Sequence, residues 1–292
     1  MTQTTLNGGA TSARRQLMDL AFQGLALLVL CIALVSLGAL IVDIWSDGAS
    51  RLSWNFLTGF PSRRAGDAGV WHALTGSVFV ILVTGLLAVP IGVAAAIYLE
   101  EYGGRSVAAR IIEMNITNLA AVPSIIYGLL GLGLFVRALG MGRSVLAGAS
   151  TLALLVLPVV ILSTREALRA VPASIREGSY ALGATKWQTV WYQVLPVALP
   201  GILTGTILAL SRAIGETAPL ITIGALTFVA FAPDGIWSPF TVLPIQIFNW
   251  VSRPQREFQV NAAAGILVLL ALLLTMNAAA IWLRDRYQKK LG

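Results

Sequence analysis

The 292-residue chain is 57% hydrophobic and only 11% charged, with a mean hydropathy of +0.81 and a formal net charge of +7. That excludes an ordinary soluble domain, in which roughly a quarter of the residues are charged, and it assigns the positive charge to loops around membrane spans, since no basic patch is interleaved with aromatics. A lone Cys31 and a lone His72 leave no intrachain disulfide and no His/Cys metal cluster.

Residues 1–16 are polar and end in Arg14-Arg15, which reads as a disordered cytoplasmic tail ahead of one membrane domain, 17–292. The apolar run 21–42 reaches roughly 33 Å at about 1.5 Å per residue, enough for a first span and too long for a cleavable signal sequence. A polar loop, 43–71, carries Trp45, Trp54, Phe56 and Trp71, residue types that favour the membrane interface. The second span is 74–99, with a break expected at Pro90 and an exit through Glu100 and Glu101. A third covers 116–136, where Gly128, Gly131 and Gly133 allow close helix contact, and a fourth covers 145–162.

After the polar stretch 164–196, a fifth span is expected to run on to about residue 224, with Gly201 and Gly205 as a packing pair. In the connection 226–258, residues 243–251 read as a short interfacial or re-entrant amphipathic helix. The last span is 260–283, anchored by Arg284, Arg286, Lys289 and Lys290. The fold class is therefore all-α: a polytopic integral membrane protein with six transmembrane helices and both termini on one side. Twelve Lys and Arg fall on the loops of that side against seven opposite, which puts both termini and the stretch 164–196 in the cytoplasm.

The stretch 164–196 has two predicted helix starts. Ser174 with Glu177, and Thr185 with Gln188, have capping-box spacing. Gly183 stops the first short helix. Trp187, Val190, Trp191 and Val194 then lie at i, i+3, i+4 and i+7, one apolar stripe, and Pro196 is expected to end that helix before the fifth span. Two short helices meeting at a glycine elbow on the membrane surface make a lever that another protein can grip.

These residues carry a resemblance. Glu177-Gly178-Ser179, Gly183 and Leu195-Pro196 are similar in spacing to the cytoplasmic "EAA" loop of ABC-importer permeases, with Gly178-Ser179 in place of two alanines and Gln193 in place of an isoleucine. The resemblance implies that Glu177, Gly183, Leu195 and Pro196 couple the chain to an ATPase.

The fifth span contains Arg212 and Glu216, four residues apart on one helical face. Each charge costs about 2.5–3.5 kcal/mol at the centre of a membrane helix, so a structural ion pair or a site for a charged solute must offset it. The planar Arg fork matches the oxygens of an oxyanion. The segment Arg212–Leu220, residues 121–135 and residues 243–248 together resemble the permease of high-affinity phosphate ABC importers, the PstA type. That likeness covers nearly everything from residue 74 onward. It implies a type I ABC importer permease fold in the inner membrane, a homologous second permease, two copies of an ATPase and an extracytoplasmic phosphate-binding protein.

The chain itself has no Walker-type phosphate loop, so ATP is expected on the partner and no cofactor on this chain. No catalytic cluster and no metal-ligand spacing occurs either, and the expectation is a transport subunit, not an enzyme. Permeases for sulfate, molybdate or phosphonate stay open as alternatives. A secondary transporter explains the Arg/Glu pair but not the lever, and a membrane enzyme explains neither.

Overall fold

The computed structural model describes residues 9–104, 106–225 and 228–291. Twelve α-helices order the described residues: α1 (Gly9–Gly48), α2 (Trp54–Thr58), α3 (Trp71–Ile97), α4 (Val107–Ala120), α5 (Ser124–Gly131), α6 (Val145–Arg169), α7 (Ala173–Ala181), α8 (Lys186–Thr189), α9 (Leu195–Gly215), α10 (Ala218–Ile223), α11 (Leu243–Val251) and α12 (Arg256–Leu291). Five stretches are long and apolar enough to cross a membrane, and a bent pair, α4 with α5, makes the sixth. The expected tail residues 1–8 lie outside the described residues, as does Arg105.

The central helix is α6, buried along most of its length, with α3, α9, α4 and α5 packed around it. Small residues permit the close approach. A Cβ on Gly201 would stand 2.8 Å from that of Ala167, and Gly205 lies against Ser163, so the expected packing pair joins α9 to α6. Gly128 and Gly131 likewise face Thr222 and Thr151, whereas Gly133 meets nothing. The resulting core includes Ile81, Tyr127, Val156, Val160 and Ala209.

Prolines behave in two ways. Pro90 was expected to break the second span, but α3 runs through it without interruption, as membrane helices do where neighbours satisfy the freed backbone groups. Pro123 does the reverse. The expected third span is two helices bent by 102°, because Pro123 disfavours helical geometry at the residue before it and stands as the N-cap of α5. Tyr127 braces the bend by donating its hydroxyl to the Leu119 carbonyl at 2.8 Å.

At one end of the bundle, Val145 and Leu146 donate backbone N–H bonds to the carbonyls of Ser238 and Ile236, and Leu243 donates to the Ser77 hydroxyl at 2.8 Å. The helix expected at 243–251 is present as α11, tucked against α12 and the start of α3, with Gln246 bonded to buried His72 at 3.1 Å. Of the four aromatics expected at the interface, Trp45, Trp54 and Trp71 are exposed in the single chain. Phe56 is instead fully buried, its ring centre 5.8 Å from that of Trp250. Helix α1 packs on α12 where Gly48 meets the backbone of Ala263 and Ala264, while its apolar side chains from Leu17 to Val42 stay exposed in the single chain.

Candidate functional site

At the other end of the bundle, α6 leads into a compact elbow. Pro172 is the N-cap of α7, whose first residue is Ala173, so Ser174 lies inside the first turn and the expected Ser174/Glu177 capping box does not form. Ser174 is the second residue of the helix and not its N-cap, so its hydroxyl is not placed to accept from the N–H three residues on. Glu177 is exposed and has no hydrogen-bond or ion-pair partner among the described residues.

The elbow itself is as the sequence predicts. Gly183 has φ +83°, and Gly183 and Ala184 donate their N–H groups back to the carbonyls of Tyr180 and Ser179. Thr185 then caps α8 with a complete box: its hydroxyl accepts from Gln188 N at 3.3 Å, and Gln188 Oε1 accepts from Thr185 N at 2.8 Å. Ser179, which departs from the EAA pattern, pairs its hydroxyl with that of Thr189 at 2.9 Å and so pins α7 to the end of α8.

Beyond α8 the chain does not stop. A π-helical turn, Val190–Val194, carries it into α9, and Leu195 and Pro196 are the first residues of that helix. Pro196 was expected to end a helix; it stands instead at the second position of α9, directly after the π-helical turn, and the chain stays helical through it. The same turn divides the expected apolar stripe. Val190 and Val194 are buried, Val194 in a cluster with Leu168, Ala198 and Ile202, whereas Trp187 and Trp191 stack at 5.4 Å on an exposed face.

A charge clamp holds the elbow, and sequence reading missed it. The π-helical turn Tyr98–Tyr102 that follows α3 presents Glu100 and Glu101. Glu100 takes Arg165 at 3.2 Å and Arg169 at 3.0 Å; Arg165 also pairs with Glu113 of α4 at 3.0 Å. Glu101 takes Arg176 of α7 at 2.7 Å, and Arg176 donates further to the carbonyls of Leu168 and Val171 at the end of α6. Three acids and three arginines thus lock α3, α4, α6 and α7 into one body. The available signal was Arg165 and Arg169, four apart on one helix face, ending one apolar run while Glu100-Glu101 ends another.

Arg212 and Glu216 lie elsewhere. The expected fifth span is two helices: α9 ends at Gly215, Glu216 takes an extended conformation as its C-cap, and α10 starts two residues later with Pro219 in its first turn. The two side chains do meet, but at 3.4 Å, with Arg212 59% and Glu216 18% exposed. The buried pair expected from their spacing is therefore a loose contact at a helix end with the guanidinium open in the single chain. Its neighbour Ser211 bonds Asn277 of α12.

Among solved structures, this fold is similar to a bacterial ABC transporter involved in the import of the acidic polysaccharide alginate, with a TM-score of 0.63 at 14% identity over 93% of this chain and 99% of that one. Among related sequences, the chain is 33% identical over 280 residues to the "Probable ABC transporter permease protein YqgI" of Bacillus subtilis, covering 90% of this chain and 94% of that protein. It is 38% identical over 225 residues to the phosphate transport system permease protein PstA 1 of Mycobacterium tuberculosis, covering 77% of this chain and 72% of that protein. Bundle, bent third span and clamped elbow together define a multi-pass membrane permease subunit with the type I ABC importer permease fold. Residues 88–292 match the model of the binding-protein-dependent transport system inner membrane component family, and the chain belongs to that family.

Proposed function

We propose that the chain is the transmembrane subunit of an ATP-driven importer of inorganic phosphate and forms the translocation path with a second, homologous permease. The observation that carries the choice of solute is the 38% identity to the mycobacterial phosphate permease over most of this chain. A cytoplasmic ATPase dimer binds and hydrolyses ATP, and a phosphate-binding protein delivers the anion on the opposite side of the membrane. Residues 17–292 act as one permease domain. The elbow end and both termini face the cytoplasm, a reading supported by the excess of arginine and lysine on those loops.

The drive enters at the elbow. The ATPase grips the exposed outer side of α7 and the elbow that follows it, where Glu177 and Leu182 stand free. Gly183 fixes the angle between the two helices, and the clamp on Glu100 and Glu101 makes the elbow move with α3 and α6 instead of pivoting alone. Leu195 and Pro196 join the elbow to α9, whose far end carries Arg212. There the open guanidinium fork meets the passing anion, and Glu216 holds the fork until phosphate oxygens compete for it. The test is labelled-phosphate uptake in proteoliposomes holding this chain, its second permease, the ATPase and the binding protein, with sulfate and molybdate as competitors. ATP-dependent accumulation blocked by neither competitor is expected; uptake without the ATPase points to a secondary transporter instead.

A further inference from the structure

The elbow has a second feature that coupling does not use. Between the two π-helical turns, Tyr98–Tyr102 and Val190–Val194, lies an open groove of about 620 Å³, within the size range of small-ligand sites. Ala94, Ile97, Tyr98, Tyr102, Trp187 and Trp191 line it, and no charged side chain does. Single π turns often mark functional positions in helices, and here one stands on each wall.

The charge at its mouth is uncompensated. Lys186 Nζ sits 5.0 Å above the Tyr102 ring, and Lys186 makes no ion pair among the described residues. The adjacent acids cannot neutralise it, because Glu100 is taken by Arg165 and Arg169, and Glu101 by Arg176. The groove also stands where the apolar spans 71–102 and 186–215 reach the elbow, the depth at which Trp and Tyr rings meet lipid headgroups. A basic group at the rim of an apolar groove between membrane helices matches the two halves of an anionic phospholipid.

We propose that this groove binds one anionic phospholipid, with an acyl chain lying on the Trp187/Trp191 stack and Tyr98, and the headgroup phosphate on Lys186. The bound lipid fills the space between the end of α3 and the start of the span that contains α9, so it packs against the elbow from the membrane side. The proposal does not depend on which solute the permease carries.

The complete permease complex in phosphatidylcholine nanodiscs, doped with acyl-chain photoreactive phosphatidylglycerol or, separately, the matching phosphatidylcholine, tests this. Peptide mapping should find adducts on 98–102 and 186–192, about fivefold more with phosphatidylglycerol, the factor expected for one lysine near an anionic headgroup. Lys186→Gln should bring the two lipids level, Lys186→Arg should keep the preference, and Trp191→Ala should lower the adducts of both. Equal labelling by both lipids in the unaltered complex, absence of adducts on these segments because a partner subunit fills the groove, or a preference that survives Lys186→Gln would each overturn it. If the Lys186→Gln complex fails to assemble, the comparison of the two lipids on the unaltered complex decides alone.

Discussion

Arg176 of α7 reaches Glu101 of the turn after α3 at 2.7 Å while donating to the carbonyls of Leu168 and Val171, so one side chain ties the elbow to two spans. The Glu101 side chain is only 7% exposed. Arg176→Ala therefore strands a buried carboxylate and should destabilise the complex by about 3 kcal/mol, the lower end of the range for breaking a buried pair. Glu101→Ala combined with Arg176→Ala should recover more than 1 kcal/mol of that loss, as a double-mutant cycle of thermal or denaturant unfolding would measure. Strictly additive losses would mean that the two residues stabilise the elbow independently.

Gly183 gives a prediction about backbone alone. Its φ of +83° is costly for a side-chain-bearing residue, yet a Cβ there would meet no atom within 4 Å. Gly183→Val should be strained by about 1 kcal/mol or more without any steric clash, and Gly183→Asn by less, since asparagine tolerates the left-handed region best. The valine variant should reach the membrane and assemble but lose solute-stimulated ATP hydrolysis, with the asparagine variant in between. Normal stimulation in both would show that the elbow angle is not what the ATPase reads.

Orientation follows from the loops. Ser62 precedes the start of α3, and Ser179 lies on the elbow at the opposite end of the bundle. In a background without Cys31, cysteine at position 62 should react with an impermeant thiol reagent in intact cells, and cysteine at 179 only after lysis. Reaction of both in intact cells would contradict an elbow on the cytoplasmic side.

The open guanidinium of Arg212 separates scaffolding from function. If the 3.4 Å contact with Glu216 is only structural, removing both charges together should preserve much of the uptake, because each deletion compensates the other. If Arg212 meets the anion, Arg212→Gln with Glu216→Gln should insert at normal levels and fail to transport. Arg212→Lys should fall between them, since an ammonium keeps the charge but not the planar fork.

Apolar runs made the spans legible in the sequence, down to α11 at 243–251, and turn chemistry made Gly183 and the Thr185/Gln188 box legible. Proline did not read cleanly. Pro90 passes within a helix while Pro123 bends one, and local sequence does not record which neighbour packs over the freed backbone group. Pro172, two residues before Ser174, moved the helix start and removed the predicted cap. The clamp was hidden for a different reason: its pairs join residues between 52 and 75 apart in the chain, on elements that only the packing around α6 brings together. The looseness of the Arg212/Glu216 pair had a local origin: i,i+4 spacing presumes a continuous helix, and α9 ends at Gly215.

The most direct test of the central claim is phosphate-dependent ATP hydrolysis by this chain co-purified with its second permease and ATPase, reconstituted in liposomes with the phosphate-binding protein. The account predicts that phosphate-loaded binding protein stimulates hydrolysis and drives accumulation of labelled phosphate, that sulfate does neither, and that Gly183→Val abolishes the stimulation while leaving the complex assembled. Hydrolysis and uptake that respond to sulfate or molybdate and not to phosphate would contradict it.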